Sequence, residues 1–322
     1  MNKLENDLKE LGKKILLDKT VGKIIGYSYG TLAGKCVPVF IDKPEEAGKL
    51  TWNSFCDTNL ARYIKKEIPK EGKIAIIAKG CTGRAITQLL IEKQFPREKL
   101  YILGINCAGT IDRRRIANEL GSTEILEIIE KEDKILVKGT GFEKEFPRAE
   151  YLNYLCKVCK YPIPPIYDVL VGTKEPKGHI HDKYEDTLEF EKKTPDEKWA
   201  YFNETLKNCT RCYACREACP LCYCLECFCD QTQPSWFCKS AEHSEIAVFH
   251  LVRAMHLAGR CVACGDCNVV CPMGIDLIPI TRKLEKIVKD RFDAEVGIDP
   301  SKPPSLSTFC IEDQEEFFEE EE

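Results

Sequence analysis

Leu4, Leu8, Leu11 and Ile15 recur at spacings of three and four, the apolar stripe of an amphipathic helix. Short runs rich in β-branched residues follow at Lys23–Ile25, Val37–Ile41, Ile74–Ala78, Tyr101–Ile105 and Ile135–Val137. Between them, Asn59–Glu67, Ala85–Lys93, Ile111–Leu120 and Glu124–Lys131 carry helical patterns. Strands alternating with helices of this length predict a small α/β domain over residues 1–172 with a largely parallel sheet. Pro162, Pro164 and Pro165 interrupt regular structure near its end. Residues 173–205 are highly charged with few apolar positions, and read as a linker. From 206 to 290 the chain changes character: cysteines crowd in, and Ile246, Val248, Phe249, Val252, Met255 and Leu257 mark one helix within Ser240–Gly259. Residues 291–322, with Pro300, Pro303 and Pro304 ahead of an acidic end, read as an extended tail. The expected architecture is an α/β N-terminal domain followed by a helical, ferredoxin-like dicluster domain.

Twenty of the 322 residues are cysteine. The first residues, MNKLENDLKELGKK, show no apolar core ahead of a small-residue cleavage site, so no export signal is expected. No aliphatic run is long enough to span a bilayer. A cytoplasmic setting makes metal ligation a better explanation of the thiols than a disulfide framework. The net charge of −5 hides an uneven distribution. The last eleven residues, EDQEEFFEEEE, hold eight acidic groups, and setting these aside leaves the body at about +3. Such a body offers little to nucleic acid. Its dense basic cluster, Arg113-Arg114-Arg115, reads as an exposed helix start.

The strongest motif occurs twice. Cys209-x2-Cys212-x2-Cys215-x3-Cys219-Pro220 returns as Cys261-x2-Cys264-x2-Cys267-x3-Cys271-Pro272, displaced by 52 residues at every cysteine. This is the bacterial ferredoxin spacing for cubane iron–sulfur clusters, in which the fourth cysteine of each run ligates the other cluster. Two-residue gaps let three thiolates on one tight loop reach three iron atoms. The assignment is therefore Cys209, Cys212, Cys215 and Cys271 to one 4Fe-4S cluster, and Cys261, Cys264, Cys267 and Cys219 to a second. Gly265 keeps the second loop compact, and each proline ends a binding loop. Structural zinc, the competing reading, uses paired knuckles without a regular fourth cysteine and proline. His243, His250 and His256 read as structural or surface groups. Cys222, Cys224, Cys227, Cys229 and Cys238 could hold a further metal or serve as soft apolar neighbours of the clusters.

A third 4Fe-4S cluster is expected in the first domain. Cys81 follows one predicted strand and Cys107 another, and parallel strands end at the same sheet edge. Cys156-x2-Cys159 supplies a knuckle for two more ligands. Cys56 is a rival ligand; Cys36 and Cys310 read as spare, and the alternative is a set of unrelated buried thiols. The Gly80–Gly83 loop lacks both the Walker ending and the dinucleotide fingerprint. Its backbone N–H groups suit a negative cluster or an anion.

Taken together, the motifs resemble the beta-subunit family of coenzyme F420-reducing hydrogenases and formate dehydrogenases. The likeness is carried by Gly80-Cys81, by Tyr101-Ile102-Leu103-Gly104-Ile105-Asn106-Cys107-Ala108-Gly109-Thr110, and by Cys156-x2-Cys159 before Asp168-Val169-Leu170-Val171-Gly172. It continues through Cys209–Pro220 and Cys271-Pro272-Met273-Gly274-Ile275. The resemblance implies anaerobic, cytoplasmic, multi-subunit redox complexes with iron–sulfur clusters, FAD and a deazaflavin hydride carrier. Related subunits feed electrons to heterodisulfide-reductase-type partners. The Cys-Gly-Gly segment with which flavin-bearing members begin has no counterpart here. The sequence shows no nucleophile–base constellation, and five histidines give little material for acid–base catalysis. The expected function is an electron-transfer subunit, relaying single electrons between a redox catalytic subunit and a partner. The alternatives are a flavin-containing subunit exchanging hydride with a deazaflavin or nicotinamide carrier, and a zinc-stabilised scaffold.

Overall fold

A computed structural model describes residues 3–121, 124–173, 184–236, 238 and 240–306. Helix α1 (Lys3–Leu17) buries Leu8, Ile15 and Leu16. Strands β1 (Lys23–Tyr29) and β2 (Cys36–Ile41) form an antiparallel hairpin. Next come β3 (Ile74–Ala78), every residue of which is buried, and α2 (Gly80–Ile91). Strand β4 (Leu100–Ile105) follows, then α3 (Arg113–Leu120), capped by the Asp112 carboxylate accepting from the N–H groups of Arg114 and Arg115. The Asn59–Glu67 stretch is helical in two turns, a 3-10 turn at Leu60–Tyr63 running into Ile64–Glu67.

Residues 124–131 differ from the sequence expectation. They form strand β5 (Ile125–Glu130), which joins β6 (Lys134–Gly139) and β7 (Phe142–Pro147) in an antiparallel three-stranded sheet. Ile125, Ile128 and Ile129 are β-branched and pair with Gly139, Val137 and Leu136. Tertiary pairing of stiff side chains overrides the acidic, helix-like pattern.

The main sheet has the order β2-β1-β3-β4-β8, with β8 at Val169–Val171. All of its pairings except the hairpin are parallel. Ala78 lies opposite Gly104 in register, so the turns that follow β3 and β4 leave the sheet side by side. This adjacency builds the first site. The stretch expected as a linker carries helices α4 (Glu185–Glu191) and α5 (Pro195–Leu206). Thr194 and Glu197 form a reciprocal capping box at the start of α5. Asp186 of α4 pairs with Arg282, a 2% exposed residue of α7 (Ile278–Phe292), so ion pairing rather than apolar burial holds α4 in place.

Helix α6 (His243–His256) lies in the cysteine-rich part, and its buried face carries only part of the expected apolar stripe. Ile246, Phe249, His250 and Arg253 are buried, whereas Val248 and Met255 are exposed. The apolar core also crosses the expected boundary at 206. Leu221, Leu257, Val262 and Val296 belong to the core of the α/β sheet, while Leu206, Ile246, Phe249, Ile275 and Leu277 form a second, smaller core. Of the expected tail, residues 307–322 lie outside the described residues.

Candidate metal centres

The first thiol group sits where β3 and β4 end. Cys81 lies in the first turn of α2, Cys107 follows β4, and Cys156 and Cys159 come from the short helix Tyr154–Lys157 and the turn after it. Burial pushes the Cys81 thiol up to about 12, with Cys107 and Cys156 adding to the rise and Lys79 opposing it. Burial likewise raises Cys107 to about 11, with Cys156 and Cys159 contributing. Cys159 rises to about 12 by burial, then by Cys81 and Cys156. Burial and the neighbouring thiols therefore favour the protonated forms of Cys81, Cys107 and Cys159 until a cation replaces their protons. Backbone amides are already aimed at the sulfurs: Gly109 N–H donates to Cys107 Sγ at 3.4 Å and Thr110 N–H to Cys156 Sγ at 3.4 Å. Gly109 has φ +90, and a Cβ there would lie 3.2 Å from Cys156 Cβ, so glycine allows the loop to close on the knuckle.

Cys219, Cys261, Cys264 and Cys267 line a single cavity that is partly open to solvent. Leu155, Leu221, Leu257 and Ile278 complete its apolar wall, and Arg253 enters it. Three of these cysteines come from the second ferredoxin-type run and the fourth from the end of the first. Burial raises Cys261 to about 11 and Cys267 to about 12, and raises Cys264 well above the usual thiol range. Cys219 is the exception. A hydrogen bond from Cys222 and the charge of Arg253, working against burial, bring it down to about 6.

The complementary set also assembles. Cys209 feels Cys271 and Cys212, and Cys215 feels Cys209 and Cys271. Arg211 N–H donates to Cys209 Sγ at 3.4 Å and Ile275 N–H to Cys271 Sγ at 3.3 Å. Arg211 and Tyr213 adopt positive φ values of 53 and 60. Ala263 and Gly265, at the equivalent places in the second run, have φ 51 and 81. Non-glycine residues rarely adopt this conformation, so the repeat extends from cysteine spacing to backbone shape.

The Cys81 thiol adds to the upward shift of Cys264, and Cys215 adds to that of Cys267, so each set influences its neighbour. A second cavity, lined by Cys81 and Cys159, shares Leu155, Val262 and Ala263 with the first. Cys212 is exposed.

The other buried and half-buried thiols have partners outside the three sets, except Cys222, which packs on Cys219. Cys56, the rival ligand, hydrogen-bonds Cys36 and Asn53. Cys227 packs on Cys229 beside Arg216, whose Nη1 is 2.8 Å from Cys229 Sγ. Cys224 and Cys238 are exposed, and Cys310 lies outside the described residues. Among the described residues, no three His, Cys, Asp or Glu side chains converge as a single-ion site.

Two buried cations escaped the sequence reading. Lys79 is 2% exposed, and its ammonium donates to the carbonyls of Cys56 (2.7 Å) and Asp57 (2.5 Å). Burial opposes its charge, but Tyr27, Cys81, Asp266 and Cys107 raise its pKa further, so it stays ionised. Arg253 is 5% exposed; Nη2 donates to the Cys215 carbonyl at 2.9 Å, and Nε has no partner among the described residues. His250, one turn earlier, places Nε2 3.3 Å from Cys209 Sγ. Burial, then Arg253, lowers its pKa to about 4, so the ring is neutral. His243 bonds the Asn203 side chain at 2.6 Å and His256 packs edge-on against Phe228, both structural contacts. Thiols around a void, amides aimed at sulfur and buried cations with spare donors form a set that fits anionic iron–sulfur clusters.

No protein-family model matches the chain. It is 25% identical over 349 residues to the F420-dependent formate dehydrogenase subunit beta of Methanocaldococcus jannaschii, an alignment covering 90% of this chain and 91% of that one. It is 25% identical over 358 residues to the F420-dependent formate dehydrogenase 1 subunit beta of Methanococcus maripaludis, covering 92% of each. Among solved structures, a chain of the F420-reducing [NiFe] hydrogenase complex of Methanosarcina barkeri matches 48% of this chain and 58% of its own length. That likeness has 13% identity and a TM-score of 0.36.

Proposed function

From its kinship with the beta-subunit family of F420-reducing hydrogenases and formate dehydrogenases, we propose that this chain is the iron–sulfur electron-transfer subunit of an anaerobic oxidoreductase complex. It relays single electrons between a redox catalytic subunit, such as a hydrogenase or formate dehydrogenase, and a partner of the heterodisulfide-reductase type. The observation that carries this reading is the cavity lined by Cys219, Cys261, Cys264 and Cys267, which joins sulfurs from both ferredoxin-type runs.

When bound, four-iron clusters supply one-electron chemistry. The chain's own residues bind, shield and bias. Cys81, Cys107, Cys156 and Cys159 would hold the N-terminal centre; Cys219, Cys261, Cys264 and Cys267 the inner one; and Cys209, Cys212, Cys215 and Cys271 the outer one. Leu155, Leu221 and Leu257 exclude water from the inner cavity, and the amides of Gly109, Thr110, Arg211 and Ile275 donate to ligand sulfurs. Exposed Cys212 makes the outer centre the natural point of exchange with a partner.

The test is anaerobic purification with iron, acid-labile sulfide and flavin quantified. Three four-iron clusters give about twelve iron atoms per chain. Replacing Cys264 by Ala is expected to remove one ferredoxin-type signal, and replacing Cys81 by Ala the N-terminal one alone. A colourless wild-type protein holding zinc and no sulfide overturns the assignment. Flavin released on denaturation transfers the function to hydride exchange with a deazaflavin or nicotinamide carrier.

A further inference from the structure

On the reading that the inner cavity holds an iron–sulfur centre, we propose that Arg253 sets that centre's reduction potential, acting as a fixed buried countercharge that favours the reduced form. Three observations carry this. Arg253 lines the cavity together with all four inner thiols. It is 5% exposed, and the groups whose charge acts on it most strongly are Cys219, Cys222, Cys267 and Cys215. Its Nη2 donates to the Cys215 carbonyl at 2.9 Å and the guanidinium also hydrogen-bonds Cys222, while Nε is left without a partner among the described residues.

A guanidinium cannot shed its proton at physiological pH, so it cannot escape burial by becoming neutral. An unpaired buried cation is expensive unless an anion faces it. The anion available here is the thiolate-ligated centre. Adding an electron makes that centre more negative, and a nearby positive charge stabilises the reduced state over the oxidised one. The potential therefore rises. Arg253 touches the outer set through a neutral carbonyl of Cys215, while it shares the cavity with the inner set; the inner centre is the one it biases more. Helix α6 thus treats the two ferredoxin-type sites unequally. His250 brings a neutral ring to Cys209, and Arg253 brings a full charge to the cavity.

Arg253 also ties α6 to the Cys215 loop, so a purely structural role must be separable. The experiment is a redox titration of the full chain, anaerobically purified and followed by electron paramagnetic resonance. The inner signal is identified as the one lost in Cys264→Ser. Arg253→Met is expected to shift the inner equilibrium at least tenfold toward the oxidised form. For a one-electron couple that equals a fall of about 59 mV. Arg253→Lys restores most of the shift, the outer centre moves less, and the N-terminal centre holds. Full iron with an unchanged inner potential in Arg253→Met overturns the proposal. Should the Met variant fail to load the inner centre, loading restored by Lys but not by Gln supports a countercharge. Equal rescue by Gln, or failure of both, overturns it. Absence of any iron–sulfur signal from the wild-type chain removes the functional reading itself, a result distinct from these.

Discussion

Gly80 offers the sharpest test of how the N-terminal thiols are held. It opens α2 one residue before Cys81. A Cβ at this position would lie 1.7 Å from the Tyr161 carbonyl oxygen, 2.8 Å from its carbon and 2.9 Å from the Pro162 carbonyl carbon. Real Cβ atoms do not come within 3.0 Å, so alanine requires the Tyr161–Pro162 backbone to retreat by about 1.3 Å or more. That backbone cannot move alone. It continues directly from Cys159, and the Pro162 carbonyl accepts the Cys107 N–H at 3.0 Å. Pivoting is blocked as well, because Pro164 Cβ sits 2.2 Å from where a Cβ on Gly83 would be. Overpacking typically costs about 1–3 kcal/mol, and a clash with backbone on both sides falls at the upper end. A domain stable by about 5–15 kcal/mol survives that loss. The ligand set does not survive it, because positions of two of its four thiols move with the displaced segment. Gly80→Ala is therefore expected to lose about four of twelve iron atoms while both ferredoxin-type signals persist. Gly22→Ala, with nothing within 4 Å of its Cβ, serves as the control and retains full iron. The assay is iron and sulfide per chain with spectra after dithionite reduction. Full iron and an unaltered spectrum in Gly80→Ala would refute the claim that the Tyr161–Pro164 segment holds this site.

Lys79→Met removes a buried charge and leaves the carbonyls of Cys56 and Asp57 without their donor, at about 1–3 kcal/mol for each group left unsatisfied; a lower thermal midpoint with loss of the N-terminal iron is expected. An unchanged midpoint would show that the ammonium contributes nothing to the buried site. Cys56→Ser and Cys229→Ala are expected to keep full iron by chemical assay, since both side chains face other partners; iron loss in either would reassign a ligand. Glu92, at the C-terminal cap of α2, accepts Arg260 through both oxygens (2.7 and 2.9 Å), Gln88 at 2.8 Å and the Tyr223 hydroxyl. Burial pushes its pKa up, but these donors hold it below 4.5. A depressed folded value means the stabilisation is present above pH 4.5 and lost as pH falls through the folded pKa. The stability gap between wild type and Glu92→Gln, followed by denaturant melts, should be constant near neutrality and narrow below pH 4.5. A gap that widens on acidification contradicts the ion-pair reading.

What could be read from the sequence depended on whether the signal was local. The parallel strands Ile74–Ala78 and Tyr101–Ile105 are short, continuous and bounded by glycine, and their shared edge follows from topology alone. Cysteine spacing is equally local, and four of the cysteines it singled out, Cys219, Cys261, Cys264 and Cys267, line one cavity. Local patterns misled where a distant partner decided the outcome. Ile125–Glu130 looks helical until β6 lies beside it. Val248 and Met255 look like core until the opposite face of α6 is seen to carry His250 and Arg253 toward sulfur. An arginine and a histidine three residues apart in an otherwise apolar helix were the available signal, and apolar periodicity gives such residues no weight. Lys79, directly after a fully buried strand, was hidden for the same reason. Its carbonyl partners at Cys56 and Asp57 lie more than twenty residues away.

The exchange of fourth cysteines has a consequence for how the chain is built. Cys219 ends the first run yet lines the inner cavity with the second, while Cys271 ends the second run and lies with the first. Neither site can be completed by one run alone. The apolar core repeats this division, since Cys219, Cys261 and Cys264 pack against the core of the α/β sheet, whereas Cys209, Cys215, Cys267 and Cys271 pack around Ile246 and Phe249. The inner thiol group therefore sits at the seam between the two cores. The Asp266 carboxylate crosses that seam to accept the Asn59 N–H at 2.5 Å, and Arg84 crosses it to the Val262 carbonyl at 3.1 Å. A centre at such a seam is shielded on both sides and reachable from both neighbouring thiol groups. Binding metal there couples the two cores, because ligands from both must be in place before the site exists. Loss of the inner centre should then loosen the sheet and the cysteine-rich helices together, whereas loss of the outer centre should loosen the second core alone.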